Sequence, residues 1–246
     1  MQQREDPIIK PALVPPVDPG HSAAIIYIHG LGDEAEGVCN IADQFQSAKK
    51  LPHVKWIFPN ALENRDAMQR AWYTPTPLTP FPPSRPELEE EEDEEGLRAS
   101  IKYVESLVDG LTSKGIPPNR IVLAGFSQGC ALSLLTALIS QRYAGKFAGV
   151  AGMMGYLPLA EKLQRMRSEE GLPEYVGSVP ILLARGERDM LVPKRYFRIC
   201  RETLEKLGLH GEFLEIKEYE DLGHAVNGAV LKDFCAWLER VIPALE

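Results

Sequence analysis

Along the chain, short β-rich apolar runs alternate with longer segments in which apolar positions recur every three to four residues. Residues 24–29 (AIIYIH), 54–58 (VKWIF), 120–124 (RIVLA), 147–153 and 179–184 (VPILLA) read as buried strands, and 212–219 as an alternating, half-buried one. Between them, 38–48, 95–113, 130–141, 159–167, 193–207 and 230–242 read as helices. The clearest helix is 95–113. Leu97, Ile101, Val104, Val108 and Leu111 share one face, and Gly115 with Pro117 and Pro118 stops it. This alternation predicts an α/β fold: a mostly parallel central sheet with helices on both faces. No repeat or internal linker is visible, so 23–246 is read as one domain after an N-terminal extension over 1–22.

One stretch breaks the rhythm. An insert at about 74–95 carries Pro75, Pro77, Pro80, Pro82, Pro83 and Pro86, then the acidic run 87–95 (ELEEEEDEE). A loop this long in a compact domain is usually a binding loop or a disordered insertion. The acidic run is expected to be a solvated lead into the next helix, whose N-terminus favours negative charge; repulsion of anionic lipid is its functional alternative.

Composition narrows the function classes. The 246 residues are 44% hydrophobic with a net charge of −8 and no basic stripe, so no nucleic-acid partner is expected. The same charge disfavours anionic membranes and leaves at most a transient membrane contact through a local apolar patch. Cys39, Cys130, Cys200 and Cys235 form no CxxC pair or zinc-site spacing and read as reduced thiols. Residues 1–20 lack an apolar signal core, and no apolar run reaches the ~18 residues of a membrane span. The expected address is therefore cytoplasmic, with the nucleus also open to it.

The chemistry concentrates at Gly125-Phe126-Ser127-Gln128-Gly129, a GxSxG sequence entered by a strand and left by a helix. In that setting the turn is too tight for side chains at its flanks and presents the serine hydroxyl at the strand's carboxyl end, the nucleophile geometry of an α/β-hydrolase. A serine needs a base, and in this fold the order is Ser, then Asp or Glu, then His. Of His21, His29, His53, His210 and His224, the last two follow Ser127. His210 falls in a glycine-flanked surface turn, whereas His224 lies between the last strand and the last helix, where the base belongs. Asp189, following strand 179–184, is the expected orienting acid, with Glu187 and Asp221 as competitors. The oxyanion needs two backbone donors. Gln128 N–H is one, and Leu31 N–H in His29-Gly30-Leu31-Gly32-Asp33 is the candidate for the other; His29 itself reads as structural.

Taken together, HGLGD (29–33), AWY (71–73), GFSQG (125–129), GYLP (155–158), the RD…VP block (188–193) and LGHAV (222–226) resemble the acyl-protein thioesterase and lysophospholipase-like carboxylesterase family, and the insert is similar to that of fungal members. The resemblance spans nearly the whole chain from Ala23. It implies a Ser127, Asp189 and His224 triad, an oxyanion hole from Leu31 and Gln128, and Trp72 near an acyl pocket. It also implies S-acylated proteins, small acyl esters or lysophospholipids as substrates, no cofactor or metal, and a monomer or weak homodimer. Three positions depart from the family. Cys130 replaces a usual glycine, Met154 a usual serine, and Arg185 a frequent histidine. Met154 is thus a candidate substrate-site wall. The rivals are a short-chain carboxylesterase with the same chemistry and a silent lipid- or partner-binding protein, which the intact Ser, Asp and His argue against.

Overall fold

A computed structural model describes residues 4–82 and 91–245; the middle of the insert, including the first four residues of its acidic run, lies outside the described residues. Among the described residues the sheet has seven strands, ordered β1 (Ile8–Lys10), β3 (Val54–Phe58), β2 (Ala23–Ile28), β6 (Ile121–Phe126), β7 (Gly149–Met153), β8 (Ile181–Gly186) and β9 (Leu214–Tyr219). All neighbours pair in parallel except β1 with β3. A hairpin of β4 (Leu62–Asn64) and β5 (Gln69–Ala71) stands apart from this sheet.

The period of two divides each central strand between two cores. On β2, Ala24, Ile26 and Ile28 join one core, and Ala23, Ile25 and Tyr27 the other. The first core is closed by α3 (Glu94–Thr112), α4 (Gln128–Ile139), α5 (Leu163–Glu169) and α6 (Lys194–Lys206), the second by α1 (Ala35–Val38), α2 (Asn40–Ser47) and α7 (Gly228–Val241). Helix α4 is buried on every side, because it lies against the sheet beneath α3 and α5. No helix of the described residues is long and apolar enough to cross a membrane.

The structure departs from the sequence reading at several elements. The N-terminal extension contributes a strand to the sheet. Ile8 pairs with Phe58 and Lys10 with Trp56, covering what would otherwise be an open edge of β3. The segment 38–48 breaks at Cys39 into α1 and α2. The helix expected from 159 begins at Leu163, because Leu159 sits at φ 54°, outside the helical region, with its N–H held by Glu92.

Candidate active site

The carboxyl ends of β2, β6, β8 and β9 bring the candidate residues to one end of the sheet. Ser127 joins β6 to α4 at φ 54° and ψ −116°, a conformation that costs a non-glycine residue on the order of 1–3 kcal/mol. The flanks show why the turn needs glycines. A Cβ on Gly125 would fall 2.2 Å from the carbonyl carbon of Gly129, and one on Gly129 would fall 1.9 Å from Ile28 O. Ser127 N–H is anchored on Met153 O at 2.9 Å. Serine at a helix N-cap commonly spends its hydroxyl on the helix. Ser127 makes no such bond, so its oxygen stays available.

His224 lies in the loop between β9 and α7. Its Nδ1–H donates to Asp189 Oδ2 at 2.8 Å, and its ring packs on Phe126, the residue before Ser127, with centroids 4.8 Å apart. Asp189 is buried just beyond β8, and its Oδ1 accepts the N–H groups of Leu191 and Val192, both at 2.9 Å. Burial pushes the Asp189 carboxyl up, but the His224 bond and the two amides outweigh it and hold the carboxyl below its usual range. An ionised, immobile Asp189 fixes the imidazole with Nε2 as the free nitrogen. Of the competing acids, Asp221 pairs with Arg188 at 2.6 Å in the open, and Glu187 is exposed. Among the described residues, Ser127 Oγ has no hydrogen-bond partner within geometric limits, a common state of unliganded sites whose bonds tighten on substrate.

The loop of Gly30, Leu31 and Gly32 approaches Ser127 closely enough that a Cβ on Gly30 would sit 3.3 Å from Ser127 Cβ. Among the described residues the Leu31 and Gln128 amides have no protein acceptor, as oxyanion donors require. The Gln128 side chain does something the sequence reading missed: Oε1 accepts Trp72 N–H at 3.0 Å and Nε2 donates to Tyr73 O at 3.1 Å, clamping the residues just before the insert onto α4.

Trp72 is buried, with Nε1 donating to His29 O at 2.9 Å and its ring against those of His29 and Tyr103. Met154, at φ 50°, is also buried, in the core beneath α7. Neither lines the cavity of about 430 Å³ that opens beside the insert. Leu78 and Phe81 of the insert, Tyr156 and Leu159 of the loop after β7, and Tyr196 and Ile199 of α6 form much of its wall. The insert is secured at its base. Asp93 accepts the N–H of both Thr74, at 2.7 Å, and Gly96, and Glu92 accepts the Tyr156 hydroxyl at 2.9 Å. Cys130 is buried against Gly152 and Gly155, and burial pushes its thiol well up, so it is an inert packing group. Arg185 is buried, pairing with Glu218 at 3.4 Å. Among the described residues no cluster of three His, Cys, Asp or Glu side chains could hold a metal.

Comparison with known proteins places these features in context. Residues 10–242 match the phospholipase/carboxylesterase family. The chain is 31% identical to acyl-protein thioesterase 1 of Yarrowia lipolytica over 94% of this chain and 97% of the relative. Against acyl-protein thioesterase 1 of Emericella nidulans the identity is 33%, over 97% and 96%. Among solved structures, Zea mays acyl-protein thioesterase 2 superposes with a TM-score of 0.73 at 23% identity, covering 96% of this chain and 98% of that one, and it shares the fold.

Proposed function

The chain belongs to the phospholipase/carboxylesterase family, and we propose that it is a serine hydrolase that cleaves acyl thioesters of S-acylated proteins through a Ser127, His224 and Asp189 triad. The observation that carries this reading is the 2.8 Å bond from His224 to a buried Asp189, beside a serine held at positive φ with its hydroxyl uncommitted. His224 Nε2 takes the Ser127 proton as Oγ adds to the acyl carbonyl. The oxyanion rests on the Leu31 and Gln128 amides. His224 then returns the proton to the departing thiolate, leaving an acyl enzyme that water, activated by the same imidazole, hydrolyses.

The cavity beside the insert is lined by none of the triad and mixes Glu91, Glu161, Lys162 and Arg195 with apolar side chains; its apolar part, from Leu78, Phe81, Tyr156 and Ile199, is the place we propose for an acyl chain, with the insert as its cover. Small acyl esters and lysophospholipids use the same chemistry, and Met190 and Leu191, exposed beside Asp189, supply an apolar rim for transient contact with a lipid surface. The test is hydrolysis of matched thioesters and oxygen esters from two to sixteen carbons, with Ser127→Ala as blank. The reading expects long-chain thioesters to be preferred, and deletion of residues 76–82 to raise KM for long chains more than for acetate. Equal activity at all lengths, or activity retained by Ser127→Ala, would contradict it.

A further inference from the structure

The loop that carries the Leu31 amide is held at three points, and one short segment remote in sequence touches all three holders. At the loop's entry, Trp72 Nε1 donates to His29 O. At its middle, Gly32 N–H donates to Arg70 O at 2.8 Å. At its exit, Ala35 N–H donates to the Asn60 side-chain oxygen at 2.9 Å.

The segment is Arg4, Glu5 and Asp6. The Arg4 guanidinium lies 4.0 Å from the Tyr103 ring centroid and 5.4 Å from that of Trp72, and its Nη1 donates to Asn60 O at 2.7 Å. Glu5 Oε1 accepts from Arg70 Nη2 at 2.8 Å. Asp6 O accepts from Asn60 Nδ2 at 3.2 Å. Trp72 stabilises the entry, Arg70 the middle and Asn60 the exit, and each is itself fixed from behind by this segment. The effect is concentrated in Arg4, which is partly buried over two rings and reaches two of the holders; the Glu5 carboxylate is mostly exposed, and such surface pairs contribute little.

We propose that residues 4–6 are a positioning element for the oxyanion amide, with Arg4 its principal side chain. An oxyanion donor acts within a narrow range of distances, about 2.7–3.1 Å, so a shift of the loop by a fraction of an ångström weakens the transition state while leaving acyl-chain binding intact. The proposal rests on the serine-hydrolase reading above.

The test compares wild type, Arg4→Ala and Arg4→Lys in kcat and KM on a long-chain thioester, in Ki for an alkyl trifluoromethyl ketone, and in Tm. With that ketone, Ser127 Oγ bonds the carbonyl carbon, the π pair moves to oxygen, and the serine proton passes to His224, so Ki reads the oxyanion hole directly. Arg4→Ala is expected to lower kcat about tenfold and raise Ki by the same factor, with KM within about twofold, and Arg4→Lys to recover most of the loss. Should Arg4→Ala not fold, Arg4→Met keeps the apolar stem over the rings, and the same matched change in kcat and Ki is expected. A folded variant with wild-type kcat and Ki, or with KM raised and kcat unchanged, overturns the positioning role. Labelling of wild type by a fluorophosphonate separates the two levels. No label on Ser127 overturns the hydrolase reading itself, whereas label on Ser127 with unaltered Arg4→Ala kinetics overturns the positioning role alone.

Discussion

His29 follows β2 and His224 follows β9, so two imidazoles stand at the carboxyl end of one parallel sheet, each beside a glycine. Their surroundings differ atom by atom. His29 is fully buried; its Nδ1–H donates to Gly30 O at 2.7 Å and its Nε2 accepts Ala61 N–H at 3.1 Å. Both nitrogens are committed to backbone, and burial pushes the imidazole pKa down, opposed by the Gly30 bond. His224 keeps 13% of its side chain exposed, with one nitrogen on a carboxylate. A proton shuttle needs a nitrogen free toward the substrate and a counter-charge behind it, and His224 has both while His29 has neither. The first imidazole ties the start of the 30–32 loop to Ala61; the second has the arrangement that acid–base work requires.

The largest effect that can break this contrast is at His224. His224→Ala is expected to lower kcat/KM on the order of 10⁵-fold with little change in Tm, and Asp189→Asn on the order of 10⁴-fold by freeing the wrong tautomer. Steady-state kinetics beside thermal melts check both. A large loss of Tm with only modest loss of rate would reverse the assignment of roles. His29→Asn should do the opposite: it keeps a donor for Gly30 O but strands the Ala61 N–H, costing about 1–3 kcal/mol of stability in denaturant titration while turnover stays within about tenfold.

The smallest effect is a pH slope. The folded pKa of His29 lies below the unfolded value of about 6.5, so between the two the unfolded chain binds more protons. Stability is therefore complete above about pH 6.5 and declines as pH falls from there toward the folded pKa; His53, also lowered by burial, adds in the same direction. Melts between pH 7.5 and 5.5 should show this decline in wild type and a shallower one in His29→Asn. Equal slopes would remove His29 from the account.

These roles were unequally legible in the amino-acid sequence. The apolar strand runs and the α3 stripe are plain in the sequence, and motif context with chain order points to Ser127, Asp189 and His224. The short strands β1, β4 and β5 were not visible. Each has three residues, and β1 is pinched between Pro7 and Pro11, so pairing with a distant partner, rather than local pattern, makes them strands. The same holds for the Gln128 side-chain clamp, the Arg4 segment and the three tethers of the oxyanion loop. All are contacts across tens of residues, many with a backbone atom on one side, which leave no spacing to read. Trp72 stands out in the sequence through its place in AWY, but its indole N–H bond to His29 O belongs to the tertiary structure.

The central claim, that Ser127 is the nucleophile activated by His224, is tested most directly by intact-protein and peptide mass spectrometry after brief exposure to a fluorophosphonate. The account predicts one adduct per chain on Ser127 in wild type and in folded His29→Asn, and labelling slowed by several orders of magnitude in His224→Ala. An adduct on another residue, or labelling of His224→Ala at the wild-type rate, would contradict it.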